Sequence, residues 1–187
     1  SLGREQKEYA DTIYASGHTL LHLIEDILDI SKIEAGKLNL ENTDFDLHSL
    51  LHTTVKMLTK QAEVKGLSLS CQIGVDTPYR LVGDPFHFRQ ILNNLIGNAI
   101  KFTLHGRVTV VSEVRGDELI VAVKDTGIGI SPEAIKKLFQ HFEEENRSIS
   151  HHFDGSGMRL FISSRLATMM GGRIEISSTE GVGSEIR

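Results

Sequence analysis

The run Asp84-Pro85-Phe86-His87-Phe88-Arg89-Gln90-Ile91-Leu92-Asn93-Asn94-Leu95-Ile96-Gly97-Asn98-Ala99-Ile100-Lys101-Phe102-Thr103 reads as one helix with its start signal and its chemistry both visible. Asp84 suits an N-cap, and Pro85 suits the first helical position, where its missing N–H costs nothing. Phe88, Ile91, Leu92, Leu95 and Ile96 recur at helical spacing and turn inward, with polar residues beside them. Asn94, Asn98 and Lys101 stand four and three residues apart, so they project from one face. A carboxamide oxygen can ligate Mg²⁺, its NH₂ can donate to phosphate, and a lysine neutralises charge nearby. An interior helical Asn costs ~0.5 kcal/mol relative to Ala, so two on one face favour a functional role over local backbone capping. Two glycine-punctuated segments follow, Asp125-Thr126-Gly127-Ile128-Gly129 and Asp154-Gly155-Ser156-Gly157. Each is weak alone; in this order they point to a nucleotide site.

Downstream of that helix, residues 107–114 and 118–124 are β-branched runs joined by Arg115-Gly116-Asp117, which predicts a hairpin. Ser131-Pro132 opens a short helix ending at residues 139–142, and residues 143–155 read as a loop. Residues 158–170 are helical, Gly171-Gly172 stops them, residues 173–177 form a strand, and residues 184–187 enter another. Upstream, Leu47, Leu50, Leu51, Val55 and Leu58 share a helical face that ends near Gly66, and residues 67–73 alternate as a strand. Residues 4–33 form one long helix, and its apolar stripe through Ile13, Leu20, Ile24 and Ile27 is widened by Leu21, Leu23, Leu28 and Ile30. A stripe that wide needs partners, either a bundle with other helices or its own domain. Ala35-Gly36 ends it, and residues 37–41 alternate as a strand. The hairpin argues against a doubly wound sheet. The fold class is α+β: a two-layer sandwich with helices on one face of a mixed sheet, preceded by the long helix.

Composition narrows the function classes. At 187 residues the chain holds one large domain or one domain plus an appendage. Hydrophobic residues make up 40% with no Trp, so aliphatic side chains fill the core. A net charge of −5 leaves no basic stripe for nucleic acid. Cys71 is the sole cysteine, which excludes an internal disulfide and fits a reducing compartment. No run approaches the ~20 apolar residues of a membrane span.

The assembled motifs resemble the catalytic, ATP-binding domain of sensor histidine kinases, a branch of the Bergerat-fold group that includes gyrase and MutL. Residues 84–103 resemble that family's N box, Asp125-Thr126-Gly127-Ile128-Gly129-Ile130 its G1 box, Phe139-Gln140-His141-Phe142 its F box, and Gly155-Ser156-Gly157-Met158 its G2 box. Leu28-Asp29-Ile30-Ser31-Lys32-Ile33-Glu34-Ala35-Gly36-Lys37 is similar to the end of the second dimerisation helix, particularly in hybrid kinases of phosphorelays. The resemblance implies a Bergerat fold. It divides the chain into a partial dimerisation helix at 1–36, without the H-box helix, and a C-terminally truncated catalytic domain at 37–187. It implies ATP and Mg²⁺ as cofactors.

Residue by residue, it implies that Asn98 ligates the metal while Asn94 and Lys101 serve catalysis, Asn94 by ordering the metal's water or the phosphates. Lys101 faces the triphosphate. Asp125 would accept from the adenine amine, Gly127 and Gly129 would let backbone approach the ring, and Phe102 would form a wall. Phe139 and Phe142 are either walls or core. Gly155, Ser156 and Gly157 would meet phosphate at a helix start, and Arg147 either reaches the phosphates or is a solvated loop residue. His151 and His152 read as solvent-facing loop residues.

Two positions depart from the family pattern. Arg159 and Asp154 stand where glycines are usual, adding bulk and negative charge near the phosphates. The family's phosphoacceptor H box matches none of the nine histidines, and His18 and His22 sit on the helix matching the second dimerisation helix. The implied activity is transfer of the ATP γ-phosphoryl group to a histidine of a dimerisation domain outside this chain, then to a receiver-domain or response-regulator aspartate. This chain alone is not expected to autophosphorylate. A homodimer in the full protein, no nucleic acid, no direct membrane contact, and a place in the cytoplasmic portion of a membrane-bound sensor complete the expectation. The alternatives are an ATP-hydrolysing switch, whose relatives carry glutamate where Asn94 stands, and a degenerate module acting through protein contacts.

Overall fold

A computed structural model describes residues 3–144 and 155–187, which divide into two compact units, Ser1–Asn39 and Leu40–Arg187. The first unit is α1 (Arg4–Glu34). Within it Ile13, Leu20, Leu21, Ile24, Ile27 and Leu28 of the predicted apolar stripe are exposed and Ile30 is half-exposed, while the side chain of Leu23 lies outside the described residues. The helix closes as a Schellman motif, with Gly36 at φ 62 and the Lys37 amide donating to the Lys32 carbonyl at 2.9 Å.

The second unit is built of β1 (Thr43–Asp46), α2 (Leu47–Val64), β2 (Ser68–Ile73), β3 (Arg80–Gly83), α3 (Pro85–Phe102), β4 (Arg107–Arg115) and β5 (Glu118–Asp125). It continues with α4 (Pro132–Glu144), α5 (Gly155–Met169), β6 (Ile176–Thr179) and β7 (Gly183–Ile186). Five strands form one mixed sheet in the order β2-β4-β5-β7-β6, parallel only between β2 and β4. A two-stranded antiparallel pair, β1 with β3, lies apart from it. The hairpin of β4 and β5 turns at Gly116-Asp117 as expected, with Gly116 at φ 60.

Helix starts follow the capping logic. The Asp46 carboxylate accepts from the Ser49 amide at 2.8 Å, and Asp84 accepts from the His87 amide at 2.9 Å. The core is mainly aliphatic. Leu47, Leu51 and Val55 from α2, Leu92, Leu95, Ile96 and Ile100 from α3, and Leu160 from α5 meet Val108, Val110 and Val123 of the sheet. Leu47, Leu51, Ile96, Ile100, Val108 and Val110 are completely buried. Burial of this kind supplies most of the stability, at roughly 1.5–3 kcal/mol for each large aliphatic side chain. Two threonine hydroxyls inside the core return to helix carbonyls, Thr54 to Leu50 at 2.7 Å and Thr103 to Ala99 at 2.7 Å.

Three expectations need correction. Residues 37–41 form no strand: the amide of Glu41 donates to the Asp84 carboxylate at 2.9 Å, and the first strand begins at Thr43. Alternating side chains report a face and not a partner, and here a carboxylate takes the hydrogen bond a neighbouring strand would have taken. The last helix begins at Gly155, not Met158, and the strand after it is Ile176–Thr179, not 173–177. The paired strands β1 and β3 went unseen because each is four residues long and its partner lies about forty residues away.

Candidate functional site

The predicted chemistry gathers where α3 runs past the end of β5. Asp125 is the last residue of β5, between Val108 of β4 and Ser184 of β7. Its Oδ1 accepts from the Gly127 amide at 2.8 Å, the local turn expected where Asp meets glycine. Burial pushes the Asp125 carboxyl up from its ordinary value, and hydrogen bonds from the amides of Gly127 and Ser184 offset that only in part. A half-buried carboxylate with spare acceptor capacity suits a polar hydrogen in an apolar setting.

That setting is a cavity of about 240 Å³ whose lining includes Asn98, Phe102, Asp125, Gly129 and Gly157. Leu95, Ala99, Val123, Ile128, Ile130, Leu138, Leu160, Ser184 and Ile186 complete it, making the walls mainly apolar. Of the residues singled out from sequence, five therefore converge on one space. Asn94 lies off the cavity and donates from Nδ2 to Ser163 Oγ of α5 at 3.2 Å. Lys101 is exposed, its Nζ 5.0 Å from the centre of the Phe102 ring. Gly155 and Ser156 open α5. Arg159 lies on α5 but not in the cavity wall. Arg147, His151, His152 and Asp154 lie outside the described residues, as do the side chains of Phe139, Phe142, Ser156, His18 and His22.

The glycines of the turn do more local work than their sequence suggested. A Cβ on Gly127 would come within 2.5 Å of the Phe102 carbonyl oxygen, and one on Gly129, at φ 68, would meet the Thr179 carbonyl. The room they leave is taken by the protein's own backbone: Ile128 donates to the Phe102 carbonyl at 3.2 Å, and Gly181 donates to the Ile128 carbonyl at 2.7 Å. These contacts lock the turn against the end of α3 and against the hairpin of β6 and β7. Two further anchors had no sequence signal. Ser178 Oγ accepts from the Ile130 amide at 2.8 Å, and Lys65 Nζ caps the end of α3 by donating to the carbonyls of Ile100 at 2.9 Å and Lys101 at 3.0 Å. A serine in a strand and a lysine at a distant helix end are indistinguishable in sequence from ordinary surface residues.

Comparison with known proteins gives concordant results. The family model described as "Histidine kinase-, DNA gyrase B-, and HSP90-like ATPase" matches residues 83–187, and "His Kinase A (phospho-acceptor) domain" matches residues 1–36. "Sensor protein GacS" of Pseudomonas syringae pv. syringae is 44% identical over 185 residues, covering 96% of this chain and 20% of that protein. "Signal transduction histidine-protein kinase BarA" of Escherichia coli K12 is 41% identical over 184 residues, with 96% and 20% covered. The chain thus spans about a fifth of the length of these curated relatives. Among solved structures, full-length ShkA in complex with AMPPNP superposes with a TM-score of 0.82 at 30% identity, over 100% of this chain and 38% of that one. The fold is shared with histidine kinase ThkA in complex with response regulator protein TrrA, at a TM-score of 0.72 and 21% identity, over 100% of this chain and 51% of that one.

Proposed function

The chain belongs to the histidine kinase-, DNA gyrase B-, and HSP90-like ATPase family, and from that premise we propose that it binds Mg-ATP and passes the γ-phosphoryl group to a histidine of a dimerisation domain. The observation that carries this reading is the shared cavity of Asp125 and Asn98, a half-buried acceptor and a neutral oxygen ligand set in mainly apolar walls. Residues 1–36 serve as a dimerisation helix and residues 37–187 as the catalytic domain. The parent is a hybrid sensor, dimeric, cytoplasmic in this portion, with a receiver aspartate as the next acceptor. Among the described residues no helix is long and apolar enough to cross a membrane.

At about 240 Å³ the cavity is below the roughly 300–1,000 Å³ of pockets that enclose a whole drug-sized ligand. It takes the base and leaves the triphosphate outside. The Asp125 carboxylate accepts from the exocyclic amine of adenine, where guanine presents a carbonyl, so one group selects the base. Phe102 and Ile128 cover the ring. Among the described residues no three or more His, Cys, Asp or Glu side chains are grouped for a metal, so the donor set suits a cation held by one amide oxygen, phosphate and water, as Mg²⁺ prefers. Asn98 would hold it, and its charge would offset that of the phosphates.

Lys101, free to swing from its position over Phe102, together with Arg147 and the start of α5 at Gly155, Ser156 and Gly157, meets the phosphate oxygens. The chain's share of the work is positioning and charge neutralisation. The bond from γ-phosphorus to its bridging oxygen breaks as an imidazole nitrogen bonds to phosphorus, ADP departs, and the acceptor domain supplies the proton's base. Asn94 cannot deprotonate water, which favours transfer over hydrolysis.

Calorimetry with Mg-ATP and Mg-GTP, followed by transfer of labelled phosphate to a separately supplied H-box domain, tests the reading. Preferential ATP binding and an acid-labile label on the acceptor histidine are expected. Absence of ATP binding, or rapid hydrolysis without transfer, overturns it.

A further inference from the structure

Ser163 is completely buried on α5, and its hydroxyl donates to the Arg159 carbonyl at 2.8 Å. A hydroxyl carries one hydrogen. With that hydrogen committed, Ser163 Oγ can only accept from its second neighbour, Asn94, which stands 3.2 Å away. The NH₂ end of the Asn94 carboxamide must therefore face α5, and its oxygen must be the end offered elsewhere. We propose that Ser163 is a positioning residue that fixes the amide of Asn94 so that Oδ1, an acceptor, is presented to the water shell of the nucleotide's metal ion.

This rests on the Mg-ATP reading of the same site and resolves a choice within it. An Asn94 held NH₂-outward would donate to phosphate; held this way it accepts from metal-bound water. The inference also ties the start of α5 to the N-box helix. The carbonyl that orients Ser163 belongs to Arg159, the residue that stands where the family carries glycine, and it lies four residues into α5. A shift of that first turn would release the hydroxyl and, through it, the orientation of Asn94.

Two side chains distinguish positioning from packing. Ser163→Ala removes the acceptor, leaves a good helix former at the position and adds no atom to the core. Ser163→Thr restores a hydroxyl able to bond the same carbonyl. The readout is the ratio of ATP affinity with Mg²⁺ to that in EDTA, alongside the Asn94 side-chain NH₂ resonances of the ligand-free protein. Ser163→Ala is expected to cut the magnesium ratio roughly tenfold, the value of one hydrogen bond near a charge. Metal-free ATP affinity should stay within about twofold, and the Asn94 NH₂ signals should move. Ser163→Thr should restore both. A ratio unmoved in Ser163→Ala, equal losses with and without Mg²⁺, or unshifted Asn94 signals overturns the proposal while leaving the nucleotide reading standing. A wild-type chain that binds no ATP overturns both.

Discussion

Asp84 offers the sharpest test of how the site helix is held. Its carboxylate is 2% exposed and each oxygen has its own duty. Oδ1 caps α3 by accepting from the His87 amide at 2.9 Å. Oδ2 accepts from the Glu41 amide at 2.9 Å and meets His87 Nδ1 at 2.7 Å, joining the segment before β1 to the start of α3. Serine caps as well as aspartate but carries no second oxygen, so Asp84→Ser removes only the second duty. A hydrogen bond to a charged acceptor contributes about 1.5–3 kcal/mol, and because both partners of Oδ2, Glu41 and His87, are partly open to water, their combined loss is placed near about 2 kcal/mol. Asp84→Ala also removes the cap, which adds about 1 kcal/mol.

The expected order is therefore wild type, then Ser, then Ala, spaced by about 2 and 1 kcal/mol in urea titrations read by circular dichroism at an unchanged m-value. The pH dependence follows from the same geometry. Burial acts to raise the Asp84 carboxyl, but the hydrogen bonds from His87 and Glu41 outweigh it, and the group lies below its ordinary 3.8. An acid depressed on folding contributes stability that is present above its unfolded value and lost as pH falls through the folded one. The difference between wild type and Asp84→Ser should hold through neutral pH and shrink only below about pH 4. Equal stability of Asp84→Ser and wild type, or a gap that closes near neutrality, would refute the two-oxygen account.

Asp125→Asn should abolish the preference for ATP over GTP in calorimetry, because an amide can turn its NH₂ toward guanine's carbonyl. Since burial raises the Asp125 carboxyl, wild-type ATP affinity should fall on acidification with a midpoint above the ordinary 3.8; a midpoint at or below that value counts against it. Gly129→Ala, at φ 68 and facing the Thr179 carbonyl, should cost at least 1–2 kcal/mol in backbone strain alone and weaken ATP binding by loosening the turn; thermal melts and calorimetry on one sample check both. Ile96→Ala, at a completely buried position of α3, should cost about 2–5 kcal/mol in the same urea assay.

Much of this architecture was legible because it is written in short-range signals. The cap at Asp84, the proline after it, the turn at Gly116-Asp117 and the helical spacing of Asn94, Asn98 and Lys101 involve residues within a few positions of one another, so chain geometry alone relates them. Asp125 and its glycines were recognisable for the same reason. What remained invisible was whatever depends on a distant partner. The Glu41 amide gives up a strand for Asp84, forty-three residues on. The space beside Gly127 and Gly129 goes to the carbonyls of Phe102 and Thr179.

By itself, then, the order of residues determined which side chains could recognise a nucleotide and which local elements carry them, since propensity, capping and periodicity act over one or two turns. Only the tertiary structure decided that Asn98 and Asp125 face one cavity, that Lys65 caps the helix carrying Asn98, and that a buried serine on α5 hydrogen-bonds Asn94. The physical reason is that a hydrogen-bond partner is chosen by proximity in the packed state, and packing brings together groups that no sequence spacing relates.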